Sequence, residues 1–302
     1  MTSRAGRPAP SRAHGFTLAE LVVALGIGGV VLGAFALAVA HQERAYGELA
    51  RRVRARAALR EGLAPLLADL RTISPAAGDL KPGHASDSAV ELRTTIGSAV
   101  VCEIAGRTLT GALASFVTQP ETGDTAWAYV ASDTGQTWMP LPIQAAVVHP
   151  AESGLCPFPA RGASALPGGR ARHAWYALEL LDLPPGLAMG TPLRVTRPAR
   201  YSLYRAPDSK WYLGRREWSP ARGLFETIQP VSGPYRPYAP PGEETSGLEL
   251  HYCDSAGAEV PIESATSGEV AHVTLVLRTA GDGRVREGRE ATSVTLALRN
   301  PP

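Results

Sequence analysis

RAHGFTLAEL, Arg12 to Leu21, closes a basic leader and opens an apolar run that continues to Ala40 with only Thr17 and Glu20 strongly polar. An ionised carboxylate in hydrocarbon costs at least about 2.5 kcal/mol even on lenient insertion scales, so Glu20 calls for a partner. As a helix, residues 16–40 would extend about 37 Å at about 1.5 Å per residue, enough for a bilayer core of about 30 Å. Arg4, Arg7 and Arg12 precede the run without an acidic residue, which favours a cytoplasmic N-terminus; Arg44, Arg51, Arg52, Arg54, Arg56 and Arg60 on the far side argue the other way. Two simpler readings stay open. Ala38-Val39-Ala40 offers a signal-peptide cleavage site, although the apolar run exceeds the usual h-region of about 7 to 15 residues and contains Glu20. A plain membrane anchor leaves the position of Glu20 without a reason.

The combination of a basic leader, Gly15, Phe16-Thr17-Leu18, Glu20 and a membrane-length apolar run resembles the N-terminal signal of the type IV pilin and pseudopilin family. The resemblance implies that a prepilin peptidase cuts between Gly15 and Phe16, and that the new amine of Phe16 is methylated. Glycine before the cut bond lets a protease approach the backbone, since no side chain stands in the way. The resemblance also supplies the partner that Glu20 lacks: the cationic amine of a neighbouring subunit would neutralise it within a helical bundle. A specific recognition signal of this kind overrides the statistical charge rule. Gly26, Gly28, Gly29 and Gly33 then read as surfaces for close helix packing in a filament. Many major pilins have a proline within the membrane helix; this run has none, which points to a minor subunit.

Residues 41–73 continue as an arginine-rich segment in which Tyr46, Leu49, Val53, Leu59, Leu63, Leu66, Leu70 and Ile73 recur at helical spacing, giving one apolar face. The arginines form a solvated face or contact lipid headgroups and neighbouring subunits. Pro65 should kink or interrupt this helix, and Ser74 to Asp79 should end it. Beyond about residue 80 the pattern becomes short β-branched and aromatic runs between glycine and proline clusters, the signature of antiparallel sheet. Strands are expected at 89–94, 99–104, 126–131, 174–181, 193–196, 201–205, 211–217, 248–253, 271–278 and 292–298, with loops at 160–172 and 231–247. The expected fold is α+β and pilin-like: a leader at 1–15, a transmembrane helix at 16–40, an amphipathic stem at 41–73 and a β-rich periplasmic head at 80–302. GLELHYCDSAGAEV, Gly247 to Val260, followed by HVTLVLRT and SVTLALRN, narrows the resemblance to minor pseudopilins of the J type and minor pilins of the W type.

The net charge of +2 from 30 basic and 28 acidic residues gives no footprint for nucleic acid. Cys102, Cys156 and Cys253 lack the spacing of a zinc or redox motif; in an oxidising periplasm Cys102 and Cys156 are the preferred disulfide pair, with Cys253 able to replace either and three buried thiols as the alternative. No Gly-x-Ser-x-Gly or His-Glu-x-x-His motif occurs, and His251 and His272 read as strand residues. Asp254 with Gly257 reads as a turn, since one carboxylate is too few for calcium. Trp127, Trp138, Trp175, Trp211 and Trp218 are expected in the core. No catalytic residue, metal or cofactor is therefore expected. The implied role is a structural subunit of a type II secretion pseudopilus or type IV pilus. Its partners would be other pseudopilins or pilins, the prepilin peptidase, the inner-membrane assembly platform and membrane lipid. The other class of reading is a secreted or membrane-anchored β-rich periplasmic binding protein.

Overall fold

The computed structural model describes residues 17–81, 88–116, 118–132, 135–149, 175–239, 246–261, 269–281 and 290–298. The chain divides into two compact units, residues 1–53 and 54–302, and the helix α1 (Leu18–Thr72) contributes to both. In the first unit its large apolar residues, among them Leu21, Leu25, Ile27, Val31 and Phe35, are exposed. In the second its last turns are a core element, with Leu59, Leu66, Leu70 and Ile73 buried. The expected apolar stripe thus has two fates, because Tyr46, Leu49 and Val53 are exposed. Pro65 does not interrupt the helix. Proline removes one main-chain donor and crowds the preceding turn, but burial of Gly62, Leu66 and Leu70 on both sides of it holds the turns in register. After Thr72 the chain makes a 3-10 turn at Pro75–Ala77, closed by Gly78 in the left-handed region (φ 73°), where a side chain would be strained.

The second unit is otherwise antiparallel sheet. Its strands are β1 (Ala89–Ala105), β2 (Thr108–Phe116), β3 (Thr125–Ser132), β4 (Gly135–His149), β5 (Trp175–Leu180), β6 (Pro192–Arg205), β7 (Trp211–Ser219), β8 (Leu224–Phe225), β9 (Gln229–Tyr235), β10 (Leu248–Cys253), β11 (His272–Arg278) and β12 (Ala291–Ala297). The chain is therefore α+β, a long apolar N-terminal helix followed by an antiparallel β-rich domain, as expected of a pilin-like fold. In the larger sheet the pairings run β1-β2-β5-β4-β3-β6 and return from β6 to β1, so these six strands close on themselves. Alternation along each strand turns Val101, Leu109, Ala126, Ala128, Val130, Ile143, Leu178, Leu180, Leu193 and Val195 into a packed barrel interior.

Two strands reach beyond the barrel. The first half of β1 pairs with the second half of β6, from Ala89↔Ser202 onward, and β7 and β9 extend this sheet. The C-terminal part of α1 packs there against Val90, Leu92, Tyr201, Leu213 and Tyr235, together with the inward residues of the separate sheet β10-β11-β12. Polar contacts pin the helix in place. The Tyr235 hydroxyl donates to the Ala58 carbonyl at 2.7 Å and lies 2.5 Å from Ser232 Oγ. Tyr201 donates to Asp69 at 2.6 Å. Arg194 donates to the Thr72 carbonyl at 3.1 Å and pairs with the buried Asp79 at 2.8 Å. Burial pushes the Tyr235 hydroxyl up to about 12; burial and then the Asp69 charge raise Tyr201 as well, so both remain donors at any ordinary pH.

Several expected boundaries are corrected by these neighbours. Runs 89–94 and 99–104 are one strand, β1, because Gly97 sits at a shift of register and not at a turn. Runs 193–196 and 201–205 are likewise one strand, β6. Pro198 falls where β6 changes partner, from β3, whose pairing ends at Thr196, to β7, whose pairing begins at Ala199. β2, β4 and β8 were not expected. Residues 231–235, read as loop, form most of β9, an edge strand on which Pro230 and Pro234 are tolerated. The expected loop at 160–172 lies outside the described residues. Of the four tryptophans whose side chains are described only Trp127 is fully buried; the side chain of Trp175 lies outside that description. Trp138, Trp211 and Trp218 are half-buried, Trp138 against Tyr129 and Arg194, and Trp218 against Phe225.

Candidate assembly site

The start of α1 is where the sequence placed its functional residues. Gly15 and Phe16 lie outside the described residues. Thr17 is the first described residue, and Glu20 sits in the first turn of the helix. The Thr17 N–H donates to Glu20 Oε2 at 2.9 Å, and the Thr17 hydroxyl donates to the same oxygen at 3.0 Å. In return the Glu20 N–H donates to Thr17 Oγ1 at 3.3 Å. This is a capping box, in which Thr and Glu three residues apart satisfy helix N–H groups that have no partner within the helix. The negative carboxylate also lies at the positive end of the helix dipole.

Glu20 thus has a partner within its own chain, one that the sequence reading missed. The signal was present as Thr-x-x-Glu immediately before an apolar run. Both bonds to the carboxylate use Oε2; among the described residues Oε1 accepts none, and Glu20 lines a shallow face together with Ala19, Val23, Ala24 and Ile27. The same helix is long and apolar enough to cross a membrane. A Cβ added at Gly26, Gly28, Gly29 or Gly33 would meet no atom within 4 Å, so nothing within the chain requires glycine there.

Elsewhere the predicted residues are dispersed. Cys102, buried on β1, is disulfide-bonded, Cys253 on β10 is a free thiol, and Cys156 lies outside the described residues. His251 and His272 are strand residues on β10 and β11. Asp254 forms a turn: its Oδ1 accepts from the N–H groups of Ala256 and Ala258, each at 2.9 Å, and Gly257 closes it at φ 84°. That carboxylate oxygen is occupied by the backbone. Among the described residues no group of three or more His, Cys, Asp and Glu side chains could hold a metal ion.

Residues 10–36 match the family model of the prokaryotic N-terminal methylation motif, a stretch that contains Gly15, Phe16 and Glu20. The match supports a subunit of the type IV pilin and pseudopilin kind, anchored in a membrane by its N-terminal helix. No curated protein and no solved structure matches the chain.

Proposed function

We propose that this chain is a minor pseudopilin or minor pilin that works by assembly and not by catalysis. The observation that carries the reading is Gly15-Phe16-Thr17-Leu18-Ala19-Glu20 at the head of a membrane-length helix, within a matched methylation motif. A prepilin peptidase cuts after Gly15, and Phe16 becomes the methylated N-terminus. The head stands on the periplasmic side and the chain joins a pseudopilus or pilus through α1. The order β10, Asp254 turn, β11, β12 at the end of the chain supports the J-type and W-type resemblance.

In this reading Glu20 exchanges partners. Before assembly its Oε2 caps its own helix, and on assembly the amine of a neighbouring subunit reaches the open Oε1. Because both charges then lie in a medium of low dielectric, removing one strands the other at a cost of about 3 to 5 kcal/mol. Glu20→Gln should therefore be inserted and cleaved, since Gly15 is untouched, yet fail to co-purify with partner subunits. Mass spectrometry of the mature N-terminus tests processing, and affinity isolation from membranes tests assembly. A chain beginning at His41 would identify an ordinary signal peptide, and Glu20→Gln assembling as wild type does would remove the carboxylate from the contact.

A further inference from the structure

The sheet β10-β11-β12 ends at β12, and among the described residues no strand pairs with its outer side. Natural proteins blunt such edges with charge, proline or a bulge, because unpaired backbone groups recruit other strands. β12 has none of these: its sequence, ATSVTLA, is uncharged and regular in register along its whole length. Its inward residues Thr292, Val294 and Leu296 are only half-buried, whereas the inward residues they pair with on β11, Val273, Leu275 and Leu277, are buried. The core is covered up to this edge and left partly open at it.

The backbone phase fixes what the edge offers. Thr279 N donates to Glu290 O at 3.0 Å and Leu298 N to Ala271 O at 2.8 Å, bracketing the β11–β12 ladder. Hydrogen bonds to one neighbour alternate along an antiparallel strand, so Thr292, Val294 and Leu296 bond to β11. The N–H and C=O groups of Ala291, Ser293, Thr295 and Ala297 therefore point outward. Read about Val294, the strand is nearly self-complementary: Ala291 mirrors Ala297, Ser293 mirrors Thr295, and Thr292 mirrors Leu296.

We propose that β12 pairs with β12 of a second copy of this chain, antiparallel about a two-fold axis at Val294. In that register every outward-pointing residue of one copy meets an outward-pointing residue of the other, Ala291 opposite Ala297 and Ser293 opposite Thr295, so no N–H or C=O is left over. The faces also match. Val294 meets its own counterpart and Thr292 meets Leu296 on the core side, covering the half-open apolar groups; Ala, Ser and Thr meet on the other side. The absence of charge singles out an identical copy, since two copies of a charged edge repel each other and a foreign partner is selected through complementary charge. The result is one six-stranded sheet across two heads. A seven-residue edge buries little area, so the pairing belongs to the weak, transient class, and confinement of both copies to one bilayer raises their effective concentration.

The test uses the full-length protein in detergent with Cys253→Ser as background, which removes the free thiol. Val294→Cys should give a disulfide-linked dimer under mild oxidation, because the two residues face each other across a pair whose Cα atoms lie about 4.5 Å apart. Ser293→Cys should stay monomeric, since its counterpart is displaced by two residues, beyond disulfide reach. In sedimentation, wild type should show a concentration-dependent dimer that Ser293→Pro abolishes, because that proline removes an outward N–H and no bond to β11. A dimer that survives Ser293→Pro is held elsewhere, by the membrane helix for example, and overturns the proposal. So does a wild type that remains monomeric, or a Ser293→Cys variant that cross-links as readily as Val294→Cys.

Discussion

In the barrel every strand has a neighbour on both sides, whereas the layered core that receives α1 ends at β12, which among the described residues has a neighbour on one side only. The barrel is sealed by its own strands, and among the described residues its interior contains no residue of α1. The layered core is sealed by the last turns of α1, through Leu59, Leu66, Leu70 and Ile73, and by polar pins on the Ala58 carbonyl and the Asp69 carboxylate. The difference separates two kinds of dependence. Closure makes stability a matter of interior packing and a few buried ion pairs. A layered core depends also on an element that arrives from elsewhere in the chain.

The largest effect is expected at the base of the barrel. There Arg197 makes two hydrogen bonds to the buried Asp124, at 2.8 and 2.7 Å, and a third to the Gln119 carbonyl at 3.2 Å. Asp124→Ala leaves the buried guanidinium with only the half-exposed Glu121 at 3.5 Å in place of its close, two-bond partner, a loss of about 3 to 5 kcal/mol. Hydrogen exchange of the full-length protein should show protection falling in β3 and β6 first. Equal loss in β10 and β11 would mean that the two cores open together and would break the distinction drawn here.

Leu70→Ala is the counterpart on the other side. Its side chain is almost wholly buried (1% exposed), so truncation should cost about 2 to 5 kcal/mol. Denaturant unfolding gives the size, and hydrogen exchange should place the loss in β10, β11 and the end of α1 with β2 and β5 little changed. Gly62→Ala is a finer probe. A Cβ there would lie within 2.5 Å of both the Tyr235 hydroxyl and Ser232 Oγ. The pin must shift, at a cost of about 1 to 3 kcal/mol, and Gly62→Ala combined with Tyr235→Phe should recover part of the loss if the hydroxyl is the obstacle.

The smallest effect is a dependence on pH. Glu91, buried on the part of β1 that lies beyond the barrel, would be raised by burial, but hydrogen bonds and charge from Arg200 and Lys81 outweigh it and hold its carboxyl below the ordinary 4.5. A carboxylate depressed in the folded state stabilises the fold above its unfolded pKa and loses that contribution as pH falls through the folded value. Thermal melts should therefore lose stability on acidification below about pH 4.5, and Glu91→Gln should flatten that slope. An unchanged slope would assign the acid sensitivity to other carboxylates.

The helix was legible because its signals are local: apolar spacing from Leu59 to Ile73, Pro75 and Gly78 to end it, and Thr17 with Glu20 to start it, although only the carboxylate of that pair was recognised. The strands of the C-terminal sheet were legible for the same reason, as alternation within single runs. The barrel was not. β4 contains Pro140 and Pro142, which argue against a strand, yet they lie where β4 pairs with β3 alone, ahead of its pairing with β5 from Ile143 onward. A proline is harmless on a side where no neighbour is present, and which sides are vacant is decided by residues far away in the chain. Gly97 and Pro198 misled in the same way: each marks a change of neighbour within a continuous strand.

The pairing of β1 with β6 also has an evolutionary side. The chain leaves this ladder at Val100 to build most of the barrel and comes back at Pro192, which is the residue opposite. Departure and return are separated by one cross-strand spacing, about 5 Å. An excursion with such ends is a cassette: it can be enlarged, exchanged or reduced to a two-residue turn, and the flanking stretches, residues 89–100 and 192–205, would still meet as a hairpin beneath α1. Relatives with the same helix and C-terminal sheet are therefore expected to differ most between these two residues, in length before composition.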